Sequence, residues 1–175
     1  MSDAPPRAAP SSWVARFAAM IPKSGSVLDL ACGGGRHTAY FLAHGHPVVA
    51  VDRDVSGLCD LRGQPRLDVL ECDLEVDGAF PLTGRRFAAV VVTNYLHRPL
   101  LPELVAAVAH GGVLIYETFA RGNERFGRPR NPDYLLRAGE LLDAVRGRLR
   151  VRAYEDLIVD DPRPAAVQRI CAQRA

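Results

Sequence analysis

The 175-residue sequence contains no apolar run long enough to cross a lipid bilayer, because every such run is short and interrupted. The first residues also lack the basic and then apolar order of a secretory signal peptide. A membrane-spanning or exported protein is therefore not indicated, and we expect a cytoplasmic protein.

The sequence also lacks paired cysteines, since no two of its four cysteines have C-x-x-C spacing. This pattern argues against a disulfide framework and favours reduced thiols. His44 and His46 lie two residues apart without a third ligand at a plausible spacing, so we predict no metal site. The four cysteines are Cys32, Cys59, Cys72 and Cys171.

An excess of charge of one sign is absent too, since 22 basic and 20 acidic residues give a net charge of +2. Nucleic-acid binding depends on clustered positive charge, so this balance gives no reason to expect a nucleic-acid partner. Hydrophobic residues make up 48% and charged residues 24%, values typical of a globular domain. Residues 1–10 contain three prolines, so we expect a disordered leader before a single domain over residues 11–175.

The most informative stretch is an apolar run that ends in three glycines and continues as a helical pattern. Val27–Leu30 predicts a buried strand, Gly33–Gly35 a turn, and Arg36 the start of a helix. Glycine lets a ligand approach the backbone, and in open α/β sheets ligands bind beyond the carboxyl ends of strands. A second run, Val48–Val51, ends in Asp52, which can accept both ribose hydroxyls of an adenosine-like ligand. The sequence therefore predicts a nucleoside site.

The glycine turn distinguishes between two classes of nucleoside-binding protein. Gly33–Gly35 satisfies two glycine positions of the dinucleotide fingerprint, but Thr38 occupies the third. The segment Asp29–His37, followed by Val48–Asp52, resembles instead the first two motifs of class I S-adenosylmethionine-dependent methyltransferases. Their first motif is acid-x-Gly-x-Gly-x-Gly, and Ala31 stands here at the first glycine. The form Asp-Leu-Ala-Cys-Gly is similar to small-molecule members, including the tellurite-resistance type.

Further apolar runs predict strands that end in polar residues, and a strand pair at the C-terminus completes the pattern. The resemblance implies an α/β, three-layer Rossmann-like class I methyltransferase fold. Its seven-stranded, mostly parallel sheet would have the order 3-2-1-4-5-7-6 and a C-terminal antiparallel hairpin. The predicted strands cover Val69–Cys72, Phe87–Val92, Val113–Tyr116, 149–154 and 165–172, with a helix through 135–145.

The resemblance also implies which residues contact the cofactor, S-adenosyl-L-methionine. Asp73 and Leu74 match the position from which family members bond the adenine amino group and pack on its ring. A loop aspartate that caps the following turn is the alternative interpretation of Asp73. The expected cofactor-binding residues are Asp29, Ala31, Gly33, Gly35, His37, Asp52, Arg53, Asp73, Leu74 and Asn94.

The ends of the fourth and fifth strands are left for the methyl acceptor, which we expect to be a small molecule. Tyr95, His97 and Glu117 are the expected catalytic residues, with His97 or Glu117 orienting or deprotonating the nucleophile. An acceptor that supplies its own anion, such as a thiol, needs no base. The loop 120–133 carries four arginines and is either a solvated loop or a lid over an anionic acceptor. We expect a monomer or a homodimer.

Three other functions are compatible with parts of the sequence. An RNA or protein methyltransferase would use the basic loop as its footprint, but no binding domain is appended and Asn94 is not followed by Pro-Pro-Tyr. An NAD(P)-dependent reductase would need a third glycine and a catalytic Tyr-x-x-x-Lys, whereas Lys23 is the only lysine. A non-catalytic, cofactor-binding partner subunit is a further alternative.

Overall fold

The computed structural model of the protein describes residues 7–76 and 80–175, and its described strands form one sheet. The strands are β1 (Val27–Leu30), β2 (Val48–Asp52), β3 (Leu67–Glu71), β4 (Phe87–Thr93), β5 (Val108–Phe119), β6 (Arg150–Val159) and β7 (Ala165–Gln173). Their order is β3-β2-β1-β4-β5-β7-β6. β1 to β5 are parallel, whereas β7 is antiparallel to both β5 and β6. The predicted fold class and sheet order are confirmed.

The α-helices of the described residues are short. They are α1 (Ser12–Phe17), α2 (Arg36–Ala43), α3 (Leu101–Ala106) and α4 (Glu140–Val145). α1 begins where the Ser11 hydroxyl accepts hydrogen bonds from the amides of Trp13 and Val14. A 3-10 helix over Ser56–Leu61 follows β2. None of the helices in the described ranges has the length and hydropathy of a membrane span.

The hydrophobic core lies on both faces of the sheet, because its central strands are covered from both sides. In β4, Val90 and Val92 belong to the cluster that includes residues of α3 and α4. Val91, between them, belongs to the cluster on the opposite face, which contains Trp13. Alternating side chains of this one apolar strand therefore pack against the layers on both faces of the sheet.

Several predicted boundaries were wrong. β3 covers Leu67–Glu71 rather than Val69–Cys72, and β6 extends to Val159 rather than ending at residue 154. β5 begins at Val108 rather than Val113, because Gly111 and Gly112 are part of the strand. The helix predicted through residues 135–145 begins only at Glu140, since Leu136 is extended and forms a bridge with Ala120. For β5 and this helix, tertiary pairing overrides the local apolar pattern.

The predicted disordered leader, residues 1–10, lies partly outside the described residues, which begin at Arg7. Residues 7–10 have no regular secondary structure. Arg7 nevertheless binds Gly34 and Asp60, which are far away in the sequence. This short segment therefore packs on the domain that the sequence predicted to begin at Ser11.

Candidate functional site

Three adjoining clefts lie beyond the carboxyl ends of β1 to β5, and Asn94 lines all of them. We name them the turn cleft of about 850 Å³, the central cleft of about 380 Å³ and the loop cleft of about 210 Å³. The turn cleft is also lined by Arg7, Ala8, residues 31–34, Arg36, His37, Ser56, Gly57, Cys59, Asp60 and Thr93. The central cleft is lined by Ala31, Asp52, Arg53, residues 72–75, Tyr95 and Tyr134. The loop cleft is lined by Glu75, Tyr95, Leu96, Thr118, Phe119, Pro129 and Tyr134.

The glycine turn between β1 and α2 presents bare backbone to the turn cleft. Gly33 has a φ of 52° and Gly35 a φ of 73°, in the left-handed region that glycine adopts without steric cost. A Cβ added at Gly33 or Gly34 would meet nothing within 4 Å, so it would project into open space. A Cβ at Gly35 would lie 2.2 Å from Leu58. Gly33 and Gly34 therefore leave free space beside the turn cleft, whereas Gly35 packs against the protein.

Asp52 joins the end of β2 to this turn. One of its carboxylate oxygens accepts a hydrogen bond from the Gly33 amide at 2.8 Å, and the other accepts from the Asp54 amide at 3.1 Å. A carboxylate has about four lone-pair sites, so each oxygen keeps capacity for another donor. Asp52 lines the central cleft beside Arg53. The contacts fix the carboxylate in an orientation from which it can accept hydroxyl donors.

Asp29 does not line any of the three clefts in the described chain. Its carboxylate is buried and accepts a hydrogen bond from the Thr38 hydroxyl at 2.6 Å, which ties β1 to α2. Burial raises the pKa of Asp29 to about 6, although the hydrogen bonds from Thr38 act in the opposite direction. The contacts make Asp29 a support beneath the glycine turn, and a direct ligand contact stays a prediction.

The loop after β3 and the residue after β4 form the central cleft. Asp73 accepts a hydrogen bond from the Glu75 amide at 2.9 Å, which is the turn-capping contact weighed as the alternative from sequence. Asp73 nevertheless lines the central cleft together with Leu74, so it both caps the turn and faces the cleft. Asn94 has a φ of 55°, a conformation that asparagine tolerates better than most residues.

His37, the second residue of α2, lines the turn cleft as a neutral imidazole. Burial lowers its pKa to about 4, and the positive charge of Arg36 acts in the same direction. Its Nε2 atom accepts a hydrogen bond from the Ser11 amide at 3.1 Å, so the ring proton must be on Nδ1. The N-terminal residues thereby fix the tautomer of a histidine at the edge of the cleft.

Of the three predicted catalytic residues, only Tyr95 lines a cleft. Its hydroxyl oxygen is buried and has no hydrogen-bond partner among the residues that the structure describes. Burial raises the pKa of this phenol, and the negative charges of Glu75 and Asp73 raise it further. The backbone of Tyr95 is held by Tyr116, whose hydroxyl donates to its carbonyl at 2.8 Å.

Glu117 and His97 do not line the three clefts in the described chain. The Glu117 carboxylate accepts from the Ser11 hydroxyl at 2.7 Å and pairs with Arg169 at 3.1 Å. These contacts engage both carboxylate oxygens and leave Glu117 poorly placed to act as a base. His97 precedes a 3-10 turn and is half-buried. Catalytic roles for both residues stay predictions.

The loop 120–133 does not bring its arginines into the clefts. Arg121, Arg125, Arg128 and Arg130 are exposed, and only Pro129 of this loop is among the lining residues. The segment that follows this loop is held by Arg98, which donates to the Glu140 carboxylate at 2.6 Å and to the Leu135 carbonyl at 2.9 Å. The bond to Leu135 holds the backbone next to Tyr134, which lines the central and loop clefts.

Several cleft residues were missed from the sequence. Arg7 lies in a proline-rich segment without periodicity, so no local pattern marks it. Glu75 follows the predicted Asp73-Leu74 pair in a loop, where no sequence pattern distinguishes it from other loop residues. Tyr134 lies directly after the basic loop 120–133. An aromatic residue at the end of a loop that was considered as a lid is the one feature of the sequence that could have indicated its position in the clefts.

Among the described residues, no group of three potential ligands is arranged to hold a metal ion.

No protein-family model matches the sequence, and a comparison with curated proteins finds no similar sequence. Solved structures are similar in fold. TehB from Haemophilus influenzae superposes with a TM-score of 0.73 at 16% identity, over 97% of this chain and 64% of TehB. The 1,6-didemethyltoxoflavin-N1-methyltransferase of Burkholderia thailandensis, solved with bound 1,6-didemethyltoxoflavin and S-adenosylhomocysteine, superposes with a TM-score of 0.70 at 21% identity, over 94% of this chain and 77% of that one. The chain has a methyltransferase fold.

A third solved structure supports the same conclusion about the fold. The TehB-like methyltransferase of Corynebacterium glutamicum superposes with a TM-score of 0.64 at 21% identity, over 93% of this chain and 87% of that one. The chain therefore spans most of this methyltransferase but less than two thirds of the Haemophilus TehB. At these identities the likeness extends to the backbone arrangement, and the chemistry has to be argued from the residues of the clefts.

Proposed function

We propose that the protein transfers a methyl group from S-adenosyl-L-methionine to a small-molecule acceptor. The observation that carries the proposal is the hydrogen bond between the Asp52 carboxylate and the Gly33 amide. It joins the acid at the end of the second strand to an open glycine turn at the end of the first. A nucleoside with an amino-acid extension needs both features next to each other, the acid for its ribose and the bare backbone for its chain.

The lining residues fit this cofactor from one end to the other. Asp52 has acceptor capacity for the ribose hydroxyls, and Asp73 and Leu74 border the space for the adenine ring. Gly33 and Gly34 leave room for the methionine part, because a side chain there would fill the space. When bound, the cofactor supplies an electrophilic methyl group on a sulfonium centre. Asn94, which faces all three clefts, adjoins the region where that methyl group would meet its acceptor.

The loop cleft is the proposed acceptor site, and its size suits a small molecule. Tyr95, Phe119 and Tyr134 give it aromatic walls, and Glu75 is the one charged residue of its lining in the described chain. These features favour a neutral or cationic acceptor. An anionic acceptor would require the exposed arginines of the loop 120–133 to move over the cleft.

Some proteins of similar fold act on nitrogen, which agrees with such an acceptor. The Burkholderia enzyme is an N1-methyltransferase, and the coclaurine N-methyltransferase superposes with a TM-score of 0.60 at 18% identity over 83% of this chain. In the reaction proposed here, the chain's own residues exclude water and orient the nucleophile. The Tyr95 hydroxyl lacks a partner among the described residues but is buried, so it would hydrogen-bond the acceptor only after the side chain turned toward the loop cleft.

No residue in the described lining is an evident general base for an acceptor of high pKa. Glu75 is the best candidate for a general base, since it lines both the central and the loop cleft. His97 and Glu117 would act only if their side chains reoriented. We also propose that the protein works in the cytoplasm, where its four free cysteines stay reduced, as a monomer or a homodimer.

The proposal is tested by the formation of S-adenosylhomocysteine. The protein is incubated with S-adenosylmethionine and one of several acceptor classes: small amines, nitrogen heterocycles, phenols, thiols and oxyanions. We expect turnover with amines or heterocycles and little with oxyanions. Methyl transfer to RNA or protein substrates, with none to small molecules, would overturn the assignment of a small-molecule acceptor.

A further inference from the structure

We propose that residues 7–11, the N-terminal strap, form a wall of the turn cleft, and that Arg7 is a positioning residue for the glycine turn. The proposal depends on the proposed function only for the identity of the ligand. It follows from contacts that the strap makes at both of its ends.

At one end of the strap, the Arg7 guanidinium connects two elements that line the turn cleft. Its Nε atom donates to the Gly34 carbonyl at 2.8 Å, and a terminal nitrogen donates to the Gly57 carbonyl at 2.9 Å. Both terminal nitrogens also bind the Asp60 carboxylate. The planar fork of arginine makes these contacts together, which a lysine ammonium does not.

The two elements that Arg7 joins already touch through glycine. A Cβ added at Gly57 would lie 2.9 Å from the Gly34 Cα atom and 3.1 Å from the Gly33 carbonyl oxygen. The 3-10 helix Ser56–Leu61 is therefore in backbone contact with the turn, and Arg7 bridges the two at the point of contact. Because Arg7 and Gly34 line the same cleft, the bridge lies at the rim of the space for the ligand.

At its other end, the strap is held by Ser11. The Ser11 amide donates to Nε2 of His37 at 3.1 Å, and its hydroxyl donates to Glu117 at 2.7 Å. The strap is thus anchored on α2 and β5 by Ser11 and on the glycine turn by Arg7. Ala8, between the two anchors, lines the turn cleft.

These contacts have a physical consequence for binding. A run of three glycines is flexible, so ordering it around a ligand costs conformational entropy. Arg7 restricts the Gly34 carbonyl before the ligand arrives and so lowers that cost. The Arg7–Asp60 pair is partly exposed, and exposed ion pairs contribute little to global stability. Its loss should therefore appear in ligand affinity rather than in the melting temperature.

The experiment compares Arg7→Ala with the parent by calorimetry, using S-adenosylhomocysteine and 5′-methylthioadenosine, which lacks the amino-acid part. Because Arg7 lines the turn cleft and not the central cleft, we expect affinity for S-adenosylhomocysteine to fall about tenfold or more. Affinity for 5′-methylthioadenosine should change much less. The ligand-free melting temperature should stay close to that of the parent.

Two further variants make the comparison specific. Arg146→Ala breaks a similar exposed pair with Asp143 away from the clefts, and it should leave both affinities unchanged. Asp60→Ala should weaken binding in the same direction as Arg7→Ala. If the two residues act as one clamp, the double variant should lose no more affinity than Arg7→Ala alone.

A measurement without ligand separates this proposal from the proposed function. The amides of Gly33–Gly35 should exchange hydrogen at least about tenfold faster in Arg7→Ala than in the parent, with β4 unchanged. Unchanged exchange, or an affinity for S-adenosylhomocysteine within about twofold of the parent, would overturn the role of Arg7. Equal losses for both ligands together with a lower melting temperature would also overturn it, because they indicate general destabilisation. Faster exchange in a protein that binds neither ligand would support the strap and contradict the proposed function.

Discussion

The carboxylate of Asp52 and the amide of Gly33 are 2.8 Å apart, although the two residues belong to successive strand–turn units. This hydrogen bond joins the acid at the end of β2 to the backbone of the glycine turn after β1. The carboxylate that we propose for the ribose and the open backbone of the turn are thereby tied to each other.

Replacing Asp52 by Asn should weaken binding of S-adenosylhomocysteine without unfolding the protein. The amide keeps one oxygen to accept from Gly33 but loses the charge and half of the acceptor capacity. We expect a loss of about 1.5–3 kcal/mol in binding free energy, measured by calorimetry. Asp68→Asn, which changes an exposed carboxylate outside the clefts, is the matched control. Equal affinities for Asp52→Asn and the parent would show that Asp52 is not the ribose acid.

Adding a methyl group at Gly34 should block the cleft without straining the turn. Gly34 does not have a positive φ, and a Cβ there meets nothing within 4 Å, so folding stability should be unchanged or raised by up to about 1 kcal/mol. Ligand affinity should fall, because the new methyl group projects into the turn cleft.

The matched control for Gly34 is Gly127, which has the same conformational freedom and open surroundings but does not line the clefts. Gly127→Ala should have the same folding stability as Gly34→Ala, and it should bind the ligand as tightly as the parent protein. If Gly34→Ala binds S-adenosylhomocysteine as tightly as Gly127→Ala, the ligand does not approach the glycine backbone.

The hydroxyls of Tyr95 and Tyr116 should have opposite effects on stability. The Tyr95 hydroxyl is buried without a partner among the described residues, so Tyr95→Phe should raise the free energy of unfolding or leave it unchanged. The Tyr116 hydroxyl donates to the Tyr95 carbonyl, so Tyr116→Phe should lower it by about 1 kcal/mol. Denaturant titration of both variants measures the difference. A destabilised Tyr95→Phe would mean that the hydroxyl has a partner in the folded protein.

Acid should weaken the ion pair between Glu140 and Arg98, which holds the segment beside the loop cleft. Burial alone would raise the pKa of Glu140, but hydrogen bonds from Arg98 and Arg137 more than offset this and lower it to about 2. A depressed carboxyl pKa stabilises the fold above the unfolded-state value of about 4.5, and that contribution disappears as the pH falls toward 2. Glu140→Gln should therefore be less stable than the parent at pH 7, and the gap should narrow between pH 4.5 and 2. A gap that stays constant with pH would contradict this role.

The backbone of the site was predictable from the sequence, whereas its side-chain contacts were not. Apolar runs that end in Asp52 or in the glycine turn carry a local signal, because strand burial and glycine conformation depend on neighbouring residues. Glu117 was expected to face the acceptor because it ends a strand. It pairs instead with Arg169, which lies directly opposite on β7, and this register depends on the antiparallel hairpin. Arg7 binds partners 27 and 53 residues away through single side-chain contacts, which leave no periodic trace in the sequence.

The most direct test of the proposed function is a calorimetric titration of the parent protein with S-adenosylhomocysteine and, separately, with NAD⁺ and NADH. We predict saturable one-to-one binding of S-adenosylhomocysteine and none of either dinucleotide. The complex should also raise the melting temperature in proportion to the logarithm of the ligand concentration. Binding of a nicotinamide dinucleotide without affinity for S-adenosylhomocysteine would contradict the assignment of the clefts to a methyl donor.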